Sequence, residues 1–214
     1  MIDKVLLVGV AGGSGSGKST LCESLREKYP ETIGLVQLDD YYKPDDQIPK
    51  LNGMENLECP EALFIERFVN DLSELEKNVP VVINTKNSRL NPSFSKTQKR
   101  IPAVFHPRPI ILVEGFLVLA IESIRKKFFA SLWLDVPHGI RLQRRIHLQS
   151  DEYKQTILVP MHEKYAEPSK QYASRAIDAS VTTATRVLCE AEAFLFEVVQ
   201  ELFNNQPKKG KGES

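Results

Sequence analysis

The chain has 214 residues, 42% of them hydrophobic and 26% charged, with 28 basic and 28 acidic side chains. That length suits one domain with a sizeable core, and a net charge of zero supplies no global field to draw the chain to nucleic acid or an acidic membrane. The longest apolar run, residues 110–121, is interrupted by Glu114 and is too short to span a bilayer.

No basic segment precedes an apolar block at the N-terminus, so no signal peptide is expected. Cys22, Cys59 and Cys189 are scattered and odd in number. They form neither a metal spacing nor a disulfide framework, which fits a reducing cytoplasm.

Residues 5–10 form an apolar run that predicts a buried strand. Next comes Gly12-Gly13-Ser14-Gly15-Ser16-Gly17-Lys18-Ser19-Thr20, and then a helical pattern over 18–29 with Leu21 and Leu25 on one face. Residues 33–38 read as a second strand that delivers Asp39-Asp40-Tyr41-Tyr42 at its C-terminal end. The Pro-, Asn- and Asp-rich stretch 43–60 reads as a loop over the site. A helix is expected from Pro60-Glu61, with Leu63, Phe64, Phe68, Leu72 and Leu75 as its apolar face. Residues 79–83 and 100–105 are β-like and suggest a hairpin outside the main sheet, with exposed faces that could support a homo-oligomer.

After Pro107 and Pro109, residues 110–113 predict a central parallel strand ending at Glu114. A helix is expected within 117–129 and a strand over 132–136. A basic helix is expected from 140 to about 149, and a last helix over 188–203 with Ala191, Leu195, Val198 and Val199 facing inward. Strands alternating with helices predict an α/β, doubly wound sheet. The expected organisation is one domain over 1–205 and a disordered polar tail over 206–214.

The spacing Gly12-x4-Gly17-Lys18-Ser19 between strand and helix is a phosphate-binding P-loop. Glycines let successive backbone N–H groups turn inward, and the helix N-terminus adds unpaired donors. Lys18 is expected to reach the β- and γ-phosphates and the Ser19 hydroxyl to bind Mg²⁺.

Three further features bear on the chemistry. A carboxylate at Asp39, facing the γ-phosphate, can take the proton of an acceptor hydroxyl; Asp40 competes for that role. Glu114 stands at a strand tip where a second acid on the Mg²⁺ side belongs. Arg141, Arg144 and Arg145 are candidates to stabilise transferring charge, or simply a solvated basic face. A GTPase would need a base-reading Asn-Lys-x-Asp after a late strand, and none is found. His106, His138, His147 and His162 show no ligand spacing.

These stretches resemble the uridine kinase branch of P-loop kinases, which includes phosphoribulokinase-type enzymes. The likeness is carried by the P-loop, Leu38-Asp39-Asp40-Tyr41-Tyr42-Lys43, Val113-Glu114-Gly115-Phe116-Leu117, and the stretch from Leu134-Asp135-Val136-Pro137 through Arg141-Leu142-Gln143-Arg144-Arg145-Ile146. The most specific segment runs from Pro160-Met161-His162-Glu163-Lys164-Tyr165 to Ala173. The resemblance implies a P-loop NTPase fold with a five-stranded parallel sheet and a lid. It implies Mg²⁺-dependent transfer of the ATP γ-phosphate to a primary hydroxyl of a nucleoside or similar small molecule.

By position, Asp39 would be the base, Ser19 and Glu114 would hold the metal, Tyr42 and Glu58 would face the acceptor, and Arg145 would be a lid arginine. The chain departs from the family elsewhere. Val82, Ile83 and Asn84 stand where Tyr-Asp-Phe is usual and Asn87 stands at a histidine, with only Arg89 kept. Leu148-Gln149 replaces Arg-Asp in a shortened lid, and Tyr153 stands at a glutamine. The kinase core is kept and the uridine pocket is not, so acceptor specificity should differ. The alternatives are a kinase of a non-nucleoside sugar or vitamin, or a nucleotide-binding regulator with a decayed acceptor site.

Overall fold

A computed structural model describes residues 5–144, 150–180 and 183–204. The N-terminal apolar run is β1 (Leu6–Ala11), buried along its whole length. It lies at the centre of a five-stranded sheet in the order β2 (Ile33–Gln37), β7 (Ile110–Glu114), β1, β8 (Ala130–Asp135), β9 (Arg175–Asp178). All four pairings are parallel. Central strands are apolar on both faces because helices cover both sides of the sheet. On one face Leu7, Val36, Ile111, Val113 and Trp133 pack with Phe68, Leu72 and Leu75 of α2 (Ile65–Glu76). On the other, Leu6, Val8, Val10, Leu112 and Leu132 pack with Leu21 and Leu25 of α1 (Lys18–Lys28) and with Ala191, Leu195 and Val198 of the C-terminal helix (Ala184–Asn204).

The register decides what meets at the C-terminal edge. Glu114 is paired with Val10 on one side and with Gln37 on the other. The last residues of β2 and β7 therefore stand beside the P-loop that leaves β1. In such sheets the ligand crevice lies at this edge.

Residues 43–60 are more ordered than a plain loop. They contain a small hairpin, β3 (Lys50–Leu51) with β4 (Met54–Glu55), turned by Asn52 and Gly53, both at positive φ. The helix expected from Pro60 begins only at Ile65, after a single 3₁₀ turn over Pro60–Ala62. The reason is competition for the backbone. Tyr42 and Leu63 form an antiparallel bridge, Lys43 N–H donates to Ala62 O, and Phe64 N–H donates to Tyr41 O. Leu63 is thereby held in extended backbone and buried.

The accessory hairpin is β5 (Val81–Thr85) with β6 (Ile101–Phe105), antiparallel and separate from the main sheet. Val81 and Ile83 are buried, whereas Val82 and Val104 face outward. The helix expected within 117–129 reduces to one helical turn, Glu122–Arg125. The basic helix runs over His138–Arg144, and the remainder of its expected range, like the polar tail, lies outside the described residues.

Two features were not expected from composition. The edge strand β9 exposes three of its four residues, which leaves little apolar signal. Residues 151–172 form a nearly continuous helical run whose π-type turns, Lys154–Leu158 and His162–Ala166, precede Pro160 and Pro168. Proline lacks the N–H for an α-helical bond, and a widened turn accommodates that loss.

Phe68 is fully buried, and its ring centroid lies 4.5 Å from that of Tyr41, in the turn that carries Asp39. Phe68→Ala should cost about 3–5 kcal/mol of stability, measured by urea unfolding. Val82→Thr on the exposed face of the hairpin should change it by no more than about 0.5 kcal/mol.

Candidate active site

The chain leaves β1 into the glycine-rich turn. Gly17, with φ at +94°, caps α1 without any side-chain hydrogen bond, so the first-turn amides are not claimed by a capping side chain. Gly13 lies in close approach to the buried Arg141, whose guanidinium would have to shift to admit a Cβ there. The turn, α1, β7 and the segment after β2 enclose a cavity of about 220 Å³. It is lined by Ser14, Gly15, Gly17, Lys18, Ser19, Thr20, Asp39, Glu114, Gly115 and Phe116. The structure thus brings both expected acids to the same cavity as the P-loop lysine and serine. Gly12 and Gly13 do not line this cavity, and Ser16 lines a neighbouring one.

Glu114 is buried. Its Oε1 accepts from Ser19 Oγ at 2.9 Å and from Gln37 Nε2 at 2.8 Å. Burial pushes its carboxyl pKa up, Lys18 opposes that rise, and Asp39 adds to it. Lys18 is also buried, and its Nζ donates to Gly13 O at 3.1 Å. Burial lowers its pKa against the opposing pull of Glu114, Asp39 and Glu58.

Asp39 and Asp40 share a 3₁₀ turn, Leu38–Tyr41, which rotates successive side chains by about a third of a revolution. They therefore part. Asp39 faces the cavity with its side chain 41% exposed and pairs with Lys86 Nζ at 2.7 Å. The Asp40 side chain is only 5% exposed; it pairs with Arg100 and accepts from the Lys86 backbone N–H at 3.2 Å. Asp40 is thus a tether to the accessory hairpin.

The arginines behave differently from either expectation. Arg141 is buried: its Nη1 donates to Ser14 O at 3.3 Å and its Nε to Val136 O at 3.1 Å. Arg144 reaches Gly15 O at 3.4 Å and Ala179 O at 3.1 Å. Both brace the outside of the P-loop through its carbonyl oxygens. Arg145 lies outside the described residues.

The expected acceptor residues separate. The Glu58 carboxylate is buried and near enough to act on both Lys18 and Arg141. Tyr42 Oη donates to Leu57 O at 3.0 Å and lines a cavity of about 510 Å³ with Asp40, Lys43, Arg67, Asn84 and Arg100. Arg89 lines a different cavity, of about 200 Å³, between the start of β2 and the hairpin, and does not join the P-loop cavity.

Sequence reasoning missed Gln37 and Lys86, which bond directly to Glu114 and Asp39. Gln37 carried a faint signal as a polar residue ending an apolar strand; Lys86 carried none. It also missed a cavity of about 290 Å³ behind the P-loop. Ser16, Gly17 and Thr20 line it on one side, and Leu134, Arg144, Val187 and Leu188 on others.

The donors beside Lys18 are one hydroxyl and one carboxylate, both hard oxygens, with a second carboxylate in the same cavity. Among the described residues no group of three or more His, Cys, Asp or Glu forms a metal cage. Mg²⁺ is usually held by one or two carboxylates together with substrate phosphates, so Ser19 and Glu114 fit that ion.

A P-loop over a parallel sheet, with an acid beside the P-loop serine and another at the neighbouring strand tip, defines a P-loop kinase. Comparison with known proteins then makes the assignment specific: the chain matches the phosphoribulokinase / uridine kinase family over residues 7–186 and belongs to it. A uridine kinase of Clostridium botulinum (strain Okra / Type B1) is 31% identical over 180 residues, spanning 78% of this chain and 85% of that protein. A uridine kinase of Streptococcus pyogenes serotype M5 is 29% identical over 204 residues, spanning 87% and 93%. Among solved structures, a possible uridine kinase from Bacillus stearothermophilus shares the fold with a TM-score of 0.56 at 18% identity, covering 81% of this chain and 89% of that one. A gluconokinase from Sinorhizobium meliloti 1021 shares it with a TM-score of 0.51 at 17% identity, covering 94% and 98%. Among the described residues no helix is long and apolar enough to cross a membrane.

His162 packs beside this site. It is buried, its Nε2 lies 3.1 Å from Glu167 Oε2, and its ring centroid is 6.3 Å from that of His138. Burial, then the Arg141 charge, lowers its pKa to about 4. In the unfolded chain the imidazole titrates near pH 6.5, so between those values the unfolded state binds the extra proton. The stability that follows is full above about pH 6.5 and is lost as pH falls toward 4. His162→Gln should shrink the difference in unfolding free energy between pH 7 and pH 5 by roughly 1–2 kcal/mol, measured by urea titration at each pH.

Proposed function

We propose that this chain transfers the γ-phosphate of ATP, in the presence of Mg²⁺, to a primary hydroxyl of a small molecule, with Asp39 as the general base. The observation that supports this best is the shared cavity: Lys18, Ser19, Glu114 and Asp39 line one space at the mouth of the P-loop.

The amides of the glycine turn and the first turn of α1 bind the phosphate chain, and Lys18 holds its far end. Ser19 and Glu114 hold Mg²⁺, which when bound neutralises charge on the phosphate oxygens. Asp39 accepts the proton of the acceptor hydroxyl as its oxygen bonds to the γ-phosphorus. The bond from that phosphorus to the ADP oxygen breaks, leaving ADP and a phosphate ester. The cavity behind the P-loop has an apolar wall of Leu134, Val187 and Leu188 with Arg144 at its edge, and it suits the flat base of the nucleotide. Arg145 is assigned to the lid on the family likeness.

For the acceptor, Tyr42 and Glu58 are the assigned contacts, and Arg89 becomes secondary because it opens to another cavity. Relatives named uridine kinase make uridine and cytidine the first compounds to try. The hairpin argues for a changed preference, since Asn87 turns away to Glu23 and Gln37 and Val82 faces solvent. Sugars and vitamins with a primary hydroxyl follow in the panel. The free thiols of Cys22, Cys59 and Cys189 accord with a reducing compartment, and we assign the cytoplasm.

Asp39→Asn should lower turnover about 10²–10⁴-fold while binding of a fluorescent ATP analogue is kept; unchanged turnover would remove Asp39 from the role. Lys18→Met should abolish analogue binding itself, measured by the same titration. Incubating the protein with ATP, Mg²⁺ and a panel of nucleosides, sugars and vitamins should give a phosphorylated product with at least one. Tight ATP binding without product from any of them would favour a nucleotide-binding regulator.

A further inference from the structure

Lys86 and Asn87 follow β5 in the accessory hairpin, outside the P-loop and outside the main sheet. Both reach its catalytic edge. Lys86 Nζ donates to Asp39 Oδ2 at 2.7 Å. Asn87 Nδ2 lies 2.9 Å from Glu23 Oε1 and 3.4 Å from Gln37 Oε1, and Gln37 in turn bonds Glu114.

We infer that Lys86 is a positioning residue for phosphotransfer, holding the Asp39 carboxylate at the mouth of the P-loop cavity and coupling the hairpin to the base. This rests on the reading of Asp39 as the base.

Three observations support it. First, Asp39 sits half-exposed on a short turn, and among the described residues no side chain other than Lys86 hydrogen-bonds it. A carboxylate so placed would otherwise sample several rotamers, and misplacement of a reacting group by about 1 Å can cost 100-fold in rate. Second, Lys86 does not extend from a loose loop. Its own N–H is held by Asp40 Oδ1, Asp40 is held by Arg100, and the next residue, Asn87, is buried. An ion pair between two free surface chains is worth little; here one partner starts from an anchored backbone, so the pair fixes direction. Third, Asp39 and Glu114 are like charges around one cavity. Lys18 lies on the P-loop side of Asp39, and Lys86 supplies the opposite charge on the hairpin side.

Lys86 does not line the P-loop cavity itself and meets it through Asp39. Lys86→Met should lower kcat roughly 10- to 100-fold with KM for ATP unchanged, and Lys86→Arg should restore most of the loss. The assay follows ADP release with ATP, Mg²⁺ and uridine, and in parallel without uridine, where water takes the acceptor's place.

A double-mutant cycle gives the reading a structural role would not produce. In the Asp39→Asn background Lys86→Met should cost nothing further, because there is no longer a carboxylate to aim. If Asp39→Asn slows turnover but Lys86→Met does not, or if the two losses multiply, the role of Lys86 is overturned and Asp39 stands. If Asp39→Asn changes nothing, the assignment of the base fails, and this inference with it.

Discussion

The site depends on one buried carboxylate. Glu114 ends β7, and a single oxygen of it accepts from Ser19 on α1 and from Gln37 on β2. Three elements are thereby locked at the sheet edge where the P-loop emerges. An unpartnered carboxylate in that position would carry a large desolvation cost. Two hydrogen bonds and the nearby Lys18 ammonium offset it, and the residual strain appears as the raised affinity of Glu114 for a proton. Such a group is well suited to a cation brought in with a phosphate chain, because an incoming positive charge relieves the like-charge conflict with Asp39.

The absence of net charge conceals a strong local arrangement. Lys18 is buried among Glu114, Asp39 and Glu58, and Arg141 is buried against the outer carbonyls of the P-loop. The basic helix thus acts on the turn, where Arg141 and Arg144 hold the carbonyl oxygens of Ser14 and Gly15. Keeping His162 neutral beside Arg141 avoids a second buried cation at that brace.

The accessory hairpin is attached firmly where it meets the site. Asp40 to Arg100, Asp40 to the Lys86 backbone, and Asn87 to Glu23 are among the links between it and the core. The hairpin also bonds Asp39 through Lys86 and reaches Glu114 through Asn87 and Gln37.

The phosphate site was legible in the sequence because its determinants are local. A buried strand, a glycine spacing, Lys18 and Ser19 lie within a few residues of one another, and the backbone geometry follows from their order. Apolar runs likewise announced β1, β2, β7 and β8 and the hairpin's two strands. Edge strand β9 and the helical run 151–172 stayed hidden, since one is mostly exposed and the other carries two prolines whose cost only a widened turn absorbs. Which of Asp39 and Asp40 faces the P-loop cavity, that Arg141 is buried, and that Lys86 and Gln37 hold the two acids were decided by the tertiary structure alone. Those contacts join positions 47 to 127 residues apart, and only the packing of the sheet edge against the hairpin and the basic helix brings them together.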